Sequence, residues 1–251
     1  MTPRSVFGMA MNVSNIVRDL QEAGMRIEVG DDFALYRSYR ERCPGRHASF
    51  PIFDGSISFI DPTNGFWVCG FNAEDEPVHT QAVRLIDLAG FTLGEHLDIH
   101  RHKYLVADTT PDPDRTFFRG PEALRMVKGK VGYCGDFWLA PQGLAGPRGY
   151  GATSLLARLL FEIMQKAWQP DFAFAFVPKQ LASKGAHLRY GYSHCEPGRW
   201  IGPDQQVTNE EYLIWMGSQD IENLISRDLP SLAVQSNISP ISLTVSSNDH
   251  K

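Results

Sequence analysis

An α/β fold of the α+β type is what the sequence predicts, and three observations predict it. Residues 131–177 run strand, Gly-rich turn, amphipathic helix, strand. Residues 66–88 read as an antiparallel hairpin around an acidic turn at 72–77. Two short helices with apolar faces and capping residues precede that hairpin.

In the first of these stretches the strand ends in Leu139-Ala140-Pro141. Gly132 and Gly135 within it predict a β-bulge. A bulge leaves backbone N–H groups to polarise a carbonyl. Asp136 is a candidate base here, or simply a carboxylate bonded to neighbouring backbone. The turn reads Arg148-Gly149-Tyr150-Gly151-Ala152-Thr153 and opens a helix. A helix N-terminus carries unpaired N–H groups and partial positive charge, so it attracts anions. Glycine lets the backbone close on a phosphate because no Cβ intervenes. Thr153 and Ser154 add hydroxyls and Arg148 adds charge. Glycines at such a junction also serve as plain turn residues.

The helix that follows places Leu155, Leu156, Leu159, Leu160, Ile163, Met164, Ala167 and Trp168 at helical spacing, and Pro170 stops it. That stripe is core packing. Strand 172–177 alternates large and small: Phe172, Phe174 and Phe176 on one face, Ala173, Ala175 and Val177 on the other. The small face admits a helix or an extended ligand. If the two strands are parallel their carboxyl ends lie together, where ligands bind in such sheets.

On these residues the segment 66–192 resembles the GNAT superfamily of N-acetyltransferases. In that family a strand ending V-x-P leads into a Q/R-x-x-G-x-G/A turn and a helix. Here Arg148 before Gly149 matches the R-G-x-G form. Gly146 stands where the family has Gln or Arg, and the spacing from Pro141 is a few residues longer. A later block, N-x-x-A-x-x-x-Y-x-x-x-G-F, sets Gln180 at its asparagine, Ser183 at its alanine, His187 at its tyrosine and Gly191-Tyr192 at its end. The resemblance implies a central mixed, mostly antiparallel sheet with a splayed parallel strand pair, flanked by helices. It implies acetyl-CoA or another acyl-CoA as co-substrate, held by Leu139, Arg148, Gly149, Tyr150, Gly151, Ala152, Thr153 and Gln180, and no metal. It implies an amine-bearing acceptor that attacks the thioester directly, most simply in acetyl transfer. The leaving thiolate takes its proton from His187, whose ordinary pKa near 6.5 suits the task. The same histidine also reads as a helix-surface residue.

Two other readings stay open. One is a long-chain N-acyl transferase resembling the acyl-homoserine-lactone or N-acyl-amino-acid synthases, whose R-L strand is similar to Ala82-Val83-Arg84-Leu85. The other is a non-catalytic GNAT-like domain that binds a ligand or partner.

Around this segment, residues 1–12 are expected to lack order, and Ser14 caps a helix to about Ala23. Residues 25–29 alternate as a strand, and Asp31 or Asp32 caps a helix over 33–42. On the hairpin's returning strand His79, Gln81, Val83 and Leu85 share a face. His79 and Arg84 are candidate substrate contacts, with a structural role the alternative for His79. Residues 90–130 read as an irregular insertion that shapes acceptor specificity or an oligomer contact. Its His96, His100 and His102 are flanked by Arg101 and Lys103 and read as a solvated face, not a metal site. Beyond Tyr192 come a strand at 211–216 and a short helix at 220–225. The organisation is an extension over 1–24, a GNAT-like domain over 25–225 and a flexible tail over 226–251.

The 251 residues carry a net charge of -5, which argues against a nucleic-acid partner. Residues 148–199 are locally basic, seven Lys/Arg against three Asp/Glu, which suits an anionic cofactor. The four cysteines show no CxxC spacing, so no zinc or redox motif is indicated. No apolar run is long enough for a signal peptide or a membrane span, and a cytoplasmic setting is expected. Oligomeric state is open, a homodimer being the arrangement frequent in the resembled family.

Overall fold

The computed structural model describes residues 3–141 and 151–227. The elements in chain order are α1 (Pro3–Glu22), β1 (Arg26–Gly30), α2 (Phe33–Glu41), β2 (Gly65–Phe71), β3 (Pro77–Asp87) and α3 (Leu93–His100). After them come β4 (Phe117–Arg119), α4 (Ala123–Met126), β5 (Lys130–Leu139), α5 (Ala152–Trp168) and β6 (Phe172–Pro178). The chain continues through α6 (Lys179–Ala182), α7 (Ala186–Tyr190), β7 (His194–Ile201), β8 (Val207–Gly217) and α8 (Ser218–Ser226).

The strands form one sheet in the order β1-β2-β3-β5-β6-β8-β7-β4. Every neighbouring pair is antiparallel except β5 and β6, which are parallel. This is the mixed, mostly antiparallel sheet with one parallel pair that the sequence led us to expect. Alternation along the strands fills two cores. Ala173, Ala175 and Val177 face α5, packed with Leu156, Leu159 and Leu160 and with Ile16 and Leu20 of α1. Phe174 faces the other way, with Tyr133, Phe53, Tyr36, Trp67 and Trp200. The small residues of β6 are what let α5 lie close.

Two expectations need correction. Residues 1–12 are not unstructured from Pro3 onward: α1 is a 20-residue helix. Asn12 donates to Glu162 of α5 at 3.2 Å, and burial at Ile16 and Leu20 continues the stripe that tertiary packing selects. Weak intrinsic helix formers such as Gly8, Asn12 and Ser14 hid it. The 90–130 insertion is partly regular. Thr92 and Glu95 cap α3 reciprocally, and β4 pairs with β7 to extend the sheet edge. Strand β7 was not anticipated, because it contains Pro197 and Gly198, both poor strand formers. Gly198 is there because a Cβ would meet Phe118 Cζ at 2.2 Å. The tail expected to be flexible lies outside the described residues from 228 onward.

Asp32 caps α2, accepting from the N–H groups of Ala34 at 2.9 Å and Leu35 at 3.2 Å. Between α2 and β2 the chain wanders through residues 42–64, and one side chain fastens it. Arg84 of β3 is 7% exposed and donates to the carbonyls of Ile52 at 2.6 Å, Phe59 at 2.7 Å and Asn64 at 3.1 Å. Its guanidinium is spent on this loop, and Arg84 is not among the cavity-lining residues. Burial lowers its pKa to about 10, still charged at neutral pH. Arg84→Met strands three carbonyls, and the expected cost is about 2–4 kcal/mol in chemical denaturation. Limited proteolysis of that variant should nick first within 50–64. An unchanged unfolding midpoint would refute the clamp.

Candidate functional site

The site begins with an irregularity in β5. Thr80 pairs with Trp138 and Ala82 with Gly135, so Asp136 and Phe137 together oppose Gln81 alone. This bulge puts Asp136 at φ +57°, a left-handed conformation that Asp tolerates better than most residues. Gly135 is required for a different reason: a Cβ there would meet Phe53 Cε2 at 2.8 Å. The bulge that Gly132 and Gly135 predicted is present, one residue beyond Gly135.

Asp136 is not a free base. Its side chain is 1% exposed and takes Arg40 Nε at 2.7 Å and Tyr36 Oη at 2.6 Å on Oδ2, while Arg46 Nη2 pairs with Oδ1. Thr80 Oγ1 donates to its carbonyl at 3.1 Å. A carboxylate so saturated with donors is an anchor that ties the α2 side to β5. Burial and the neighbouring carboxylate push the Tyr36 hydroxyl well above its ordinary pKa, so it stays a donor.

Ahead of the bulge the parallel strands have already parted. β5 and β6 pair only at Val131–Phe172, Gly132–Ala173 and Tyr133–Phe174. From Cys134 and Ala175 onward they separate, and a cavity of about 410 Å³ opens in the gap. It reaches both cores: Cys134, Leu160, Phe161, Ala175 and Tyr192 come from the α5 side, Tyr104, Leu105 and Phe176 from the other. Its polar lining includes Arg46, His47, Gln81, Thr109, Thr110, Asn209 and Glu211. Size and mostly apolar walls are those of a small-molecule site.

Glu211 is the residue that sequence reasoning missed. It pairs with Pro178 at the carboxyl end of β6, which puts it at the mouth of the gap. Its Oε2 accepts from Trp200 Nε1 at 2.8 Å. Burial raises its pKa, with hydrogen bonds from Trp200 and Asn209 opposing that rise. The only signal in the sequence was a glutamate on a strand otherwise apolar from Leu213 to Met216.

The other candidates are scattered. Gly151 caps α5 in the left-handed conformation at φ +74°, and Ala152 and Thr153 form its first turn beyond the end of β5. Arg148, Gly149 and Tyr150 lie outside the described residues. Leu139 ends β5 opposite His79. Gln180 is exposed on α6 and is not among the cavity-lining residues. His187 sits half-buried on α7, its Nδ1 without a hydrogen-bond partner among the described residues, and does not line the cavity. Tyr190, one turn on, does line it, its ring 4.9 Å from that of Phe137. Tyr192 lines it too, with its hydroxyl beside the Cys134 thiol. Desolvation raises the pKa of both groups, the thiol to about 12, which makes Cys134 a poor nucleophile. His96 donates to or accepts from Tyr104 Oη at 2.9 Å and packs on His100. Among the described residues no group of three or more ligating side chains is placed to hold a metal, and no helix is long and apolar enough to cross a membrane.

No family model matches the chain, and no curated protein matches it. Solved structures with a similar arrangement do exist. An N-acyl amino acid synthase from uncultured soil microbes aligns at 9% identity and a TM-score of 0.39, over 89% of this chain and 96% of that one. A spermidine N-acetyltransferase variant from Vibrio cholerae aligns at 10% identity and 0.43, over 80% and 97%. An aminoglycoside acetyltransferase bound to coenzyme A and kanamycin aligns at 13% identity and 0.40, over 79% and 98%.

His79 is fully buried, and its Nδ1–H donates to the Trp138 carbonyl at 2.8 Å. That fixes Nε2 as the unprotonated nitrogen, which has no partner among the described residues. Burial pushes its pKa down to about 3. In the unfolded chain the ring takes a proton near pH 6.5, whereas in the fold it resists until about 3. The unfolded state therefore binds more protons in that window, and stability falls as pH falls below about 6.5. His96, lowered by burial to about 4, acts in the same sense. Between pH 6.5 and 5, His79→Asn should flatten the fall in unfolding free energy by up to one proton, about 1.4 kcal/mol per pH unit. Identical slopes for parent and variant would contradict the neutral buried ring.

Proposed function

We propose that this chain is an acyl-CoA-dependent N-acyltransferase that works by direct attack of an amine on the thioester. The observation that carries this reading is the parting of β5 and β6 after three paired residues, with a cavity in the gap. A gap between parallel strands leaves edge backbone unpaired, which suits an extended pantetheine arm and a polarised carbonyl. The N-terminus of α5, capped by Gly151, suits the pyrophosphate.

In this reading Glu211, not Asp136, takes the proton from the acceptor's ammonium. The freed nitrogen attacks the thioester carbonyl, the C–N bond forms and the C–S bond breaks. Tyr190, which lines the cavity where His187 does not, supplies the proton to the thiolate. Holding both substrates in one cleft accounts for much of the acceleration. Acetyl-CoA is the simplest donor. One observation favours a longer acyl group: Phe50, Leu105, Val106, Leu160 and Phe161 line a cavity of about 410 Å³, more apolar wall than an acetyl group needs.

Calorimetric titration with acetyl-CoA and a series of longer acyl-CoAs tests the donor. Parent protein should bind, and Gly151→Asp should bind at least about tenfold more weakly, because its carboxylate occupies the anion position. No binding of any acyl-CoA by the parent overturns the reading. The chain length bound best decides between acetyl and longer donors. Glu211→Gln should lower kcat by about 10²–10⁴-fold and leave acyl-CoA affinity unchanged. A base must be ionised to act, so activity should be lost as pH falls through the Glu211 pKa, which burial raises above its ordinary value. Full activity in Glu211→Gln would move the base elsewhere.

A further inference from the structure

Charge on the cavity wall is divided. On the β5 side Arg40 is 5% exposed, Arg46 10% and Asp136 1%, all as side chains. Two guanidinium groups face one carboxylate, so this buried cluster holds one positive charge in excess. Asp108 accepts from the Ala48 N–H at 3.2 Å, but it is exposed and screened by solvent. An uncompensated buried charge is expensive, and a fold keeps it where something else neutralises it.

Arg46 is the member of the cluster that lines the cavity together with Asp136. Its Nη2 is used on Asp136, at Oδ1 and at the carbonyl. Its Nε is buried without a partner, and its Nη1 makes no hydrogen bond among the described residues. Arg40, in contrast, is saturated by Asp136, His47 and Ala48. Across the gap, on the β8 side, stand Asn209 and the half-buried Glu211, whose carboxylate accepts from Trp200. Apolar rings of Tyr104 and Phe176 line the same cavity.

We infer that the acceptor is a small amine carrying its own carboxylate, bound with the carboxylate on Arg46 and the ammonium on Glu211. This rests on the transfer reading above and adds the acceptor's chemical class to it. Such a molecule is neutral overall and brings one charge of each sign to a wall that has the opposite pair. A planar carboxylate matches the fork of a guanidinium. A simple amine would satisfy Glu211 and leave the Arg40–Arg46–Asp136 cluster with its excess charge. Sites built to pair a polar group discriminate strongly against analogues that lack it.

The test compares matched compounds on the full chain: phenylalanine against 2-phenylethylamine, and leucine against 3-methylbutylamine. Binding is followed by ligand-observed NMR and, in parallel, thiol release from the acyl-CoA that binds best. The carboxylate-bearing member of each pair should bind at least about tenfold more tightly. In Arg46→Lys, which keeps a charge opposite Asp136 but loses the fork, most of that preference should vanish, while the affinity for acyl-CoA and the thermal midpoint hold. Equal affinities within each pair for the parent overturn the inference without any variant, as does a preference intact in Arg46→Lys. A preference with no thiol release keeps the carboxylate site and removes the transfer reading. Thiol release with no preference does the reverse.

Discussion

The bulge at Asp136 is the constraint on which the rest of the structure depends. A bulge bends its strand and increases the local twist. Here it falls three residues after β5 and β6 last pair, at Tyr133 and Phe174. The strand could not keep this shape without fastening, because Asp136 sits at positive φ and its carboxylate is buried. Arg40, Arg46 and Tyr36 supply that fastening from the α2 side, and Thr80 closes the carbonyl. One ion-paired knot thus both holds the strand bent and brings the Arg46 cation to the edge of the gap.

The gap is usable because the two faces of the sheet are built differently. Small residues on β6 let α5 approach from one side, so its Leu160 and Phe161 reach the cavity. The phenylalanine face of the same strand joins a dense aromatic cluster: Tyr133 lies 5.1 Å from Phe174 and 5.5 Å from Phe53 between ring centroids. Alternation on a single strand therefore sets a narrow wall and a bulky wall either side of one opening. The charges are likewise separated by element, cations from the α2 side and Glu211 from β8 beyond β6. That separation makes the cavity a two-ended site and not a uniformly polar or apolar hole.

Hydrophobic period and local punctuation made much of the fold legible. The alternation of 172–177, the stripe of α5, the Asp32 cap and the Gly24 end of α1 are all local, and each appears where the residues indicate. What local signals missed had tertiary causes. Strand β7 contains Gly198 because Phe118 needs the space, and α1 persists through poor helix formers because α5 covers it. Among site residues, Asp136 and Arg84 were visible as polar groups on strands, yet their partners are distant in sequence. Whether such a group is offered to a ligand or consumed by the fold is not a local property.

By itself the sequence determined the strand-helix-strand order of 131–177, the hairpin at 66–88 and the bulge, because these follow from side-chain period, glycine and helix-end chemistry over a few residues. Only the tertiary structure decided which polar groups face the gap. Asp136 is tied up by residues 90 to 100 positions away, Arg84 by the 52–64 loop, and Glu211, 33 residues after Pro178, is delivered to the mouth by β8. Availability for chemistry depends on what remains unpaired after packing. That is settled by long-range contacts, to which no short stretch of sequence has access.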